Sequence, residues 1–230
     1  MESIRELYRI GTGPSSSHTM GPRKAAEIFL QRQPAVAKYR VTLFGSLAAT
    51  GRGHLTDKAL AEVFAEHLFE LIWAAEKELP QHPNGMRFEA LSAQGDLVDA
   101  WEVCSVGGGA LQDRSGKVLA SVDSAYKLHS MAQVLKHAVD TGESCWEYVL
   151  ACEDEDFFDF LAKIWQVMAE SIERGLNNVG VLPGGLGLGR KAQTFYRKAS
   201  IYGPHIKHHA QVWAYALAVS EENASGGQIV

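Results

Sequence analysis

Twelve residues near the start of the chain, GTGPSSSHTMGP at positions 11–22, form its most distinctive stretch, with three serines, a histidine and a threonine between glycines. Ser15, Ser16, Ser17 and Thr19 offer hydroxyl donors. The flanking glycines permit tight turns that converge backbone N–H groups, and a helix that follows adds the partial positive charge of its N-terminus. Such a cradle suits a carboxylate or a phosphate. His18 adds a cationic donor or a proton acceptor. A serine run that merely caps the following helix accounts for the same residues equally well.

Other stretches carry weaker signals. Gly45–Asp57 (GSLAATGRGHLTD) is a glycine-rich loop after a strand, a favoured place for ligands, and it carries His54. A lone histidine beside glycines is more often a surface residue than a catalyst. Ser105–Gly109 (SVGGG) indicates close backbone approach, or a bulge, at a strand end. Pro183–Arg190 (PGGLGLGR) lacks both the Gly-Lys-Ser/Thr end of a phosphate loop and dinucleotide spacing, and reads as a break between helices. Glu221–Gly227 (EENASGG) sets two carboxylates and Asn223 at a helix end, able to hold an ammonium group or simply to be solvated. His205 and His209 are one helical turn apart with His208 between them, but no acid or thiol completes a metal site, so surface histidines are expected. Cys104, Cys145 and Cys152 are odd in number and widely spaced. That pattern does not suggest a disulfide framework, argues against an iron–sulfur cluster within these residues, and suits a reducing cytoplasm.

The elements that must position these residues follow from periodicity. Ala25, Ala26, Phe29 and Leu30 share one face of a helix that runs from Pro22 to Pro34. Tyr39–Phe44 reads as a strand, and Gly45–Gly53 as a loop or short helix. Thr56 or Asp57 can cap a long helix to about Leu79, with Leu60, Val63, Phe64, Leu68, Leu71, Ile72 and Ala75 on its apolar face. After a turn at Pro80–Gly85, Arg87–Ala93 and Val98–Val106 read as strands, continued by Leu111 and Val118–Val122. From Met131 onward the pattern is helical: Met131–Thr141, Cys145–Cys152, Phe157–Leu176, Lys191–Ala199 and Pro204–Glu222. The expectation is therefore an α+β class chain. An N-terminal α/β sandwich over residues 1–130 is followed by an all-helical partial domain over 131–230 that exposes apolar surface.

Composition excludes several classes. Hydrophobic residues make up 46% of the 230 and charged residues 21%, ordinary globular values. The formal net charge of -5 and the lack of a basic run argue against nucleic acid as a partner. No apolar run approaches the roughly 20 residues of a membrane span, and MESIRELYRIG lacks the apolar core of a signal peptide.

The order of GTGPSSSHTMGP, LFGSLAATGRGH, HPNGMRF, SVGGG, VLPGGLGLGRKA and ALAVSEENASGG resembles the iron–sulfur L-serine dehydratases over nearly the full length. The first motif is highly specific; Leu55 departs from the glycine many members carry after the histidine. The resemblance implies a small (beta) domain, similar to the allosteric substrate-binding domain of some phosphoglycerate dehydrogenases, and the start of a catalytic (alpha) domain that stops before the cluster cysteines. It implies conversion of L-serine to pyruvate and ammonia with a [4Fe-4S] cluster whose ligands are not among these residues, and no activity of this chain alone. Ser15, Ser16, Ser17 and Thr19 would then bind substrate, with His18 at its carboxylate. His54 would anchor it or transfer a proton, and Asn223 would act from the catalytic-domain side. The implied partners are L-serine, the remainder of the catalytic domain and further copies of the chain. The competing expectation is a non-catalytic serine-binding regulatory module, or one subunit of a split enzyme.

Overall fold

A computed structural model describes residues 3–119, 125–183 and 187–230. The first half is one mixed six-stranded sheet with helices packed on one face. Its strands are β2 (Lys38–Phe44), β3 (Phe69–Ala74), β4 (Gly85–Leu91), β5 (Leu97–Gly107), β6 (Ala110–Asp113) and β7 (Val118–Leu119), in the order β3-β2-β4-β5-β6-β7. All neighbours are antiparallel except β2 and β3. Parallel strands need a long crossover. Here it consists of α2 (Gly45–Thr50) and α3 (Thr56–Val63).

The core lies between the sheet and α1 (Gly21–Arg32) with α3. Tyr39, Val41 and Leu43 alternate inward from β2, while Met86 and Phe88 do so from β4. Phe29 packs at 5.5 Å from Phe88, and Tyr39 at 4.8 Å from Phe64. Each such side chain contributes roughly 1.5–3 kcal/mol on burial. The opposite face of the sheet carries a ladder of ion pairs, Lys38 and Arg40 to Glu70, and Arg87 to Glu89 and Glu102.

Two expectations about this half are corrected. The long helix from Thr56 to about Leu79 stops at Val63, and Phe69–Ala74 is a strand. Leu68, Leu71 and Ile72 mimic helical spacing, yet Phe69, Leu71 and Trp73 also alternate, and pairing with β2 brings all three onto the core. The helix is not capped by Thr56 or Asp57. Its N-cap is Leu55, in the left-handed conformation at φ 58°, and no side chain caps the first turn.

The second half holds α4 (Met131–Thr141), α5 (Cys145–Cys152), α6 (Phe157–Asn177), α7 (Ala192–Ala199) and α8 (Pro204–Ala224). Capping boxes at Ser130 with Gln133 and at Ser144 with Glu147 start α4 and α5. The half is not all helical. After α8, β8 (Gln228–Ile229) pairs antiparallel with β1 (Gly11–Thr12), a two-residue contact too short and too distant in sequence to be read from periodicity. Residues 120–122 of the expected strand Val118–Val122, and 184–186 of the glycine-rich break, lie outside the described residues.

The N-terminal segment is fastened to the helices. The Glu153 carboxylate, 3% exposed, accepts from Ser3 Oγ at 2.7 Å, Ile4 N at 3.1 Å and the Tyr126 hydroxyl, and pairs with Arg5. Beside it, Ile4, Tyr8, Trp146, Phe158, Trp165 and neighbours line an apolar groove of about 640 Å³ in which the two tryptophans and Phe158 are well exposed. No helix among the described residues is long and apolar enough to cross a membrane.

Candidate functional site

Ser15 opens a π-helical turn, Ser16–Met20, that runs straight into α1. Its hydroxyl accepts from His18 N at 3.1 Å. Ser17 Oγ lies 2.9 Å from His18 Nδ1, and Ser46 Oγ, at the start of α2, lies 3.2 Å from His18 Nε2. Both imidazole nitrogens are therefore engaged. Burial first, and the nearby His54 ring second, push His18 below its ordinary pKa, favouring the neutral ring. Ser16 is exposed. Among the described residues its hydroxyl has no partner, and the Ser16 and Ser17 N–H groups have no acceptor. Three donors thus stay available where a helix begins.

The two histidine loops meet. The rings of His18 and His54 stand 4.6 Å apart between centroids. His54 Nδ1 lies 3.1 Å from Thr50 O. A carbonyl only accepts, so Nδ1 carries the hydrogen, and in the neutral ring Nε2 keeps its lone pair. No described residue bonds to that nitrogen. His54 therefore presents an unoccupied basic nitrogen beside a ring that is fully tied down.

A cleft of about 600 Å³ adjoins these loops. Ser15, Ser16, Thr12–Pro14, Gly107, Gly108 and Asn223 line it, so three of the sequence motifs share one cavity. The histidine rings do not line it. Asn223 closes its far side and donates to Pro14 O at 3.3 Å. Thr19, expected among the substrate-binding residues, is buried, accepts from Ser15 N at 3.3 Å and donates to His54 O at 2.7 Å. Its hydroxyl is spent on structure. Periodicity could not reveal Ser46, because its role comes from a loop folding back. Its N–H takes Pro83 O at 3.1 Å, which brings the HPNG segment alongside, and Asn84 there is buried against Ser105 O.

The acidic pair of EENASGG is neither solvated nor free for an ammonium group. Glu222 accepts from Arg174, Asn178 and Arg190 at 3.1, 3.0 and 3.4 Å. Glu221 Oε1 takes the N–H groups of Lys191 and Ala192 at the start of α7, leaving Oε2 buried without a partner among the described residues. The rings of His208 and His209 meet edge to face at 6.0 Å, and the side chain of His205 lies outside the described residues. Cys104 is buried on β5, whereas Cys145 and Cys152 sit at opposite ends of α5. Among the described residues, no three His, Cys, Asp or Glu side chains are grouped to hold a metal. These residues do not fit an iron–sulfur cluster.

The fold and site thus define an α+β chain in which a serine loop with three open donors and the unbonded ring nitrogen of His54 lie on two loops that meet. Residues 3–67 match the family model of the serine dehydratase beta chain, and residues 50–230 that of the alpha chain. The chain belongs to the serine dehydratase family. It is 34% identical over 99% of its length to an L-serine dehydratase of Streptomyces coelicolor, covering 62% of that protein. It is 33% identical over its whole length to L-serine dehydratase TdcG of Escherichia coli, again covering 62%. An L-serine dehydratase of Mycobacterium tuberculosis is 34% identical over 99%, with 60% covered. The chain therefore spans about three fifths of these relatives. The alignment with the Streptomyces protein runs over 280 positions, so within that aligned stretch alone roughly fifty of its residues have no counterpart here.

Proposed function

We propose that this chain is the substrate-gripping and proton-transferring part of an iron–sulfur L-serine dehydratase, which converts L-serine to pyruvate and ammonia. The observation that carries the reading is the free Nε2 of His54 beside the tethered His18 ring, at the edge of a serine loop with three open donors. In this reading Ser16 Oγ and the Ser16 and Ser17 N–H groups hold the substrate carboxylate, with Ser15 and Ser17 shaping the loop around His18. Charge-assisted hydrogen bonds of this kind are worth about 1.5–3 kcal/mol each. His54 Nε2 takes the Cα proton, the tethered His18 ring sets the place of His54 beside it, and Asn223 closes the cleft. The [4Fe-4S] cluster belongs to polypeptide outside these residues, and the chain alone forms no pyruvate. We place the division between the beta and alpha parts near residue 130, where sheet gives way to helices, although the alpha-chain match reaches back to residue 50. The three unpaired cysteines suit the cytoplasm, and the exposed tryptophans of α5 and α6 suit further association, including a homo-oligomer.

The test uses the complete protein with its cluster. His54→Ala lowers kcat by roughly 10²–10⁴-fold, as loss of an acid–base group does. Ser16→Ala raises KM and leaves kcat nearly unchanged. An undiminished kcat in His54→Ala overturns the reading. A 230-residue chain that binds L-serine and forms no pyruvate even with the remaining polypeptide supplied favours a regulatory module instead.

A further inference from the structure

Thr19 and Thr56 lie just beyond the two histidines, and each crosses to the opposite loop. Thr19 Oγ1 donates to the carbonyl of His54 at 2.7 Å, and Thr56 Oγ1 donates to the carbonyl of His18 at 2.5 Å. Both threonines are buried, at 2% and 0% exposure. We propose that this crossed pair is a positioning clasp that fixes the two imidazoles against each other. The proposal rests on the reading of His18 and His54 as the reacting histidines, but its geometry does not.

One bond between two loops leaves them free to pivot about it. Two bonds running in opposite senses remove the pivot and the sliding together. Each bond acts on the peptide group of the histidine itself, so ring position follows with only the side-chain torsions between. The clasp is also anchored behind both donors. Thr19 Oγ1 accepts from Ser15 N at 3.3 Å, so it registers the serine loop as well, and Thr56 N donates to Gly51 O at 2.9 Å, on the end of α2. Between His54 and Thr56, the backbone turns through the left-handed conformation of Leu55, at φ 58° and ψ 26°. That turn lets the His54 carbonyl and the Thr56 hydroxyl face the same neighbouring loop. A leucine there is strained, so the crossing is held by its surroundings. The two hydroxyls are buried, whereas the bonds they make are part-buried. Loss of either hydroxyl leaves a part-buried carbonyl short of its partner and frees the loop.

The experiment reads the imidazoles, not catalysis. In the 230-residue chain labelled at histidine, nuclear Overhauser contacts between the His18 and His54 ring protons are followed, together with the tautomer of His54 from its ring nitrogen shifts. Thr19→Val and Thr56→Val remove a hydroxyl at nearly constant shape. Each is expected to lose the ring-to-ring contact while core resonances such as those of Phe88 and Val103 stay in place. Thr19→Ser and Thr56→Ser restore the donor and are expected to restore the contact and the Nδ1–H tautomer. A valine variant that keeps both signals overturns the clasp. Should a valine variant not fold, the matching serine variant decides alone, because its loss of the contact refutes the hydroxyl's role. Neither outcome depends on L-serine or turnover. The clasp can therefore fail while the dehydratase reading stands, and the dehydratase reading can fail while the clasp stands.

Discussion

Gly13→Ala tests whether the serine loop is truly seated on the helical half. A Cβ at Gly13 would lie 2.0 Å from Asn223 O and 2.7 Å from its carbonyl carbon, where real contacts stay beyond 3.0 Å. The obstacle is backbone, held in α8, and cannot swing aside. The loop must therefore retreat by about 1 Å. Overpacking of this kind costs about 1–3 kcal/mol. The retreat also threatens the bonds from Asn223 Nδ2 to Pro14 O and from Gly13 N to Gly227 O, worth about 1 kcal/mol together once partly offset by water. The expected loss is about 2–4 kcal/mol, a large share of the ~5–15 kcal/mol that usually holds a protein folded. Urea unfolding followed by circular dichroism should show the midpoint falling by roughly 1–2 M at an ordinary m-value. Gly53→Ala is the control, since the nearest atom to its Cβ would be Thr50 O at 3.4 Å. A Gly13→Ala unfolding free energy within about 0.5 kcal/mol of the parent shows that the loop does not press on α8 as described.

Further outcomes follow from the same contacts. Glu153→Ala strips a buried carboxylate from Ser3, Ile4, Arg5 and Tyr126, and should cost about 3 kcal/mol by urea titration; a loss below 1 kcal/mol would show the cluster to be ornamental. Burial first and the Glu153 contact second push Tyr126 up to about 12. Its folded-state value stands above the unfolded value of 10.0, so its contribution is complete below pH 10 and is lost between pH 10 and 12, a slope that Tyr126→Phe should flatten. His18 runs the other way. Its folded-state pKa is depressed, so its contribution is present above about pH 6.5 and is lost as pH falls through the lower folded value; His18→Asn should remove that acid-side slope from urea midpoints measured between about pH 7.5 and 5.

The elements most legible in the sequence are those whose signals are local. Met131–Thr141 and Cys145–Cys152 carry their own capping boxes, and Gly142 ends the first at φ 78°, so both helices are read to the residue. Lys38–Phe44 declares itself by strict inward alternation. Phe69–Ala74 carries two periodicities at once, and only the neighbouring strand decides between them. The strand pair of residues 11–12 with 228–229 has no local signature at all. The same division runs through the site. Glycine-rich stretches with histidine and serine mark the two loops, and the sequence names His18, His54, Ser15–Ser17 and Asn223 as chemically interesting. It does not show that Thr19 turns inward, that Ser46 reaches His18, or that Glu222 is consumed by two arginines and an asparagine. Those roles depend on which segments meet, and that is set by packing far along the chain.

The pairing of Gly11 and Thr12 with Gln228 and Ile229 also dictates a timetable for biosynthesis. The serine loop emerges early from the ribosome, but the strand that seats it is made about 216 residues later. At roughly 5–20 residues per second, the loop waits on the order of 10–40 seconds for its partner. During that interval the sheet and its core can close, since all their strands lie before residue 120. Closing so long a loop costs about 5 kcal/mol of chain entropy, more than a two-residue ladder returns. The ladder therefore forms only after α6 and α8 have packed, and the cleft is assembled after the sheet. A nascent chain carries its histidines early but has no cleft until synthesis has passed residue 229.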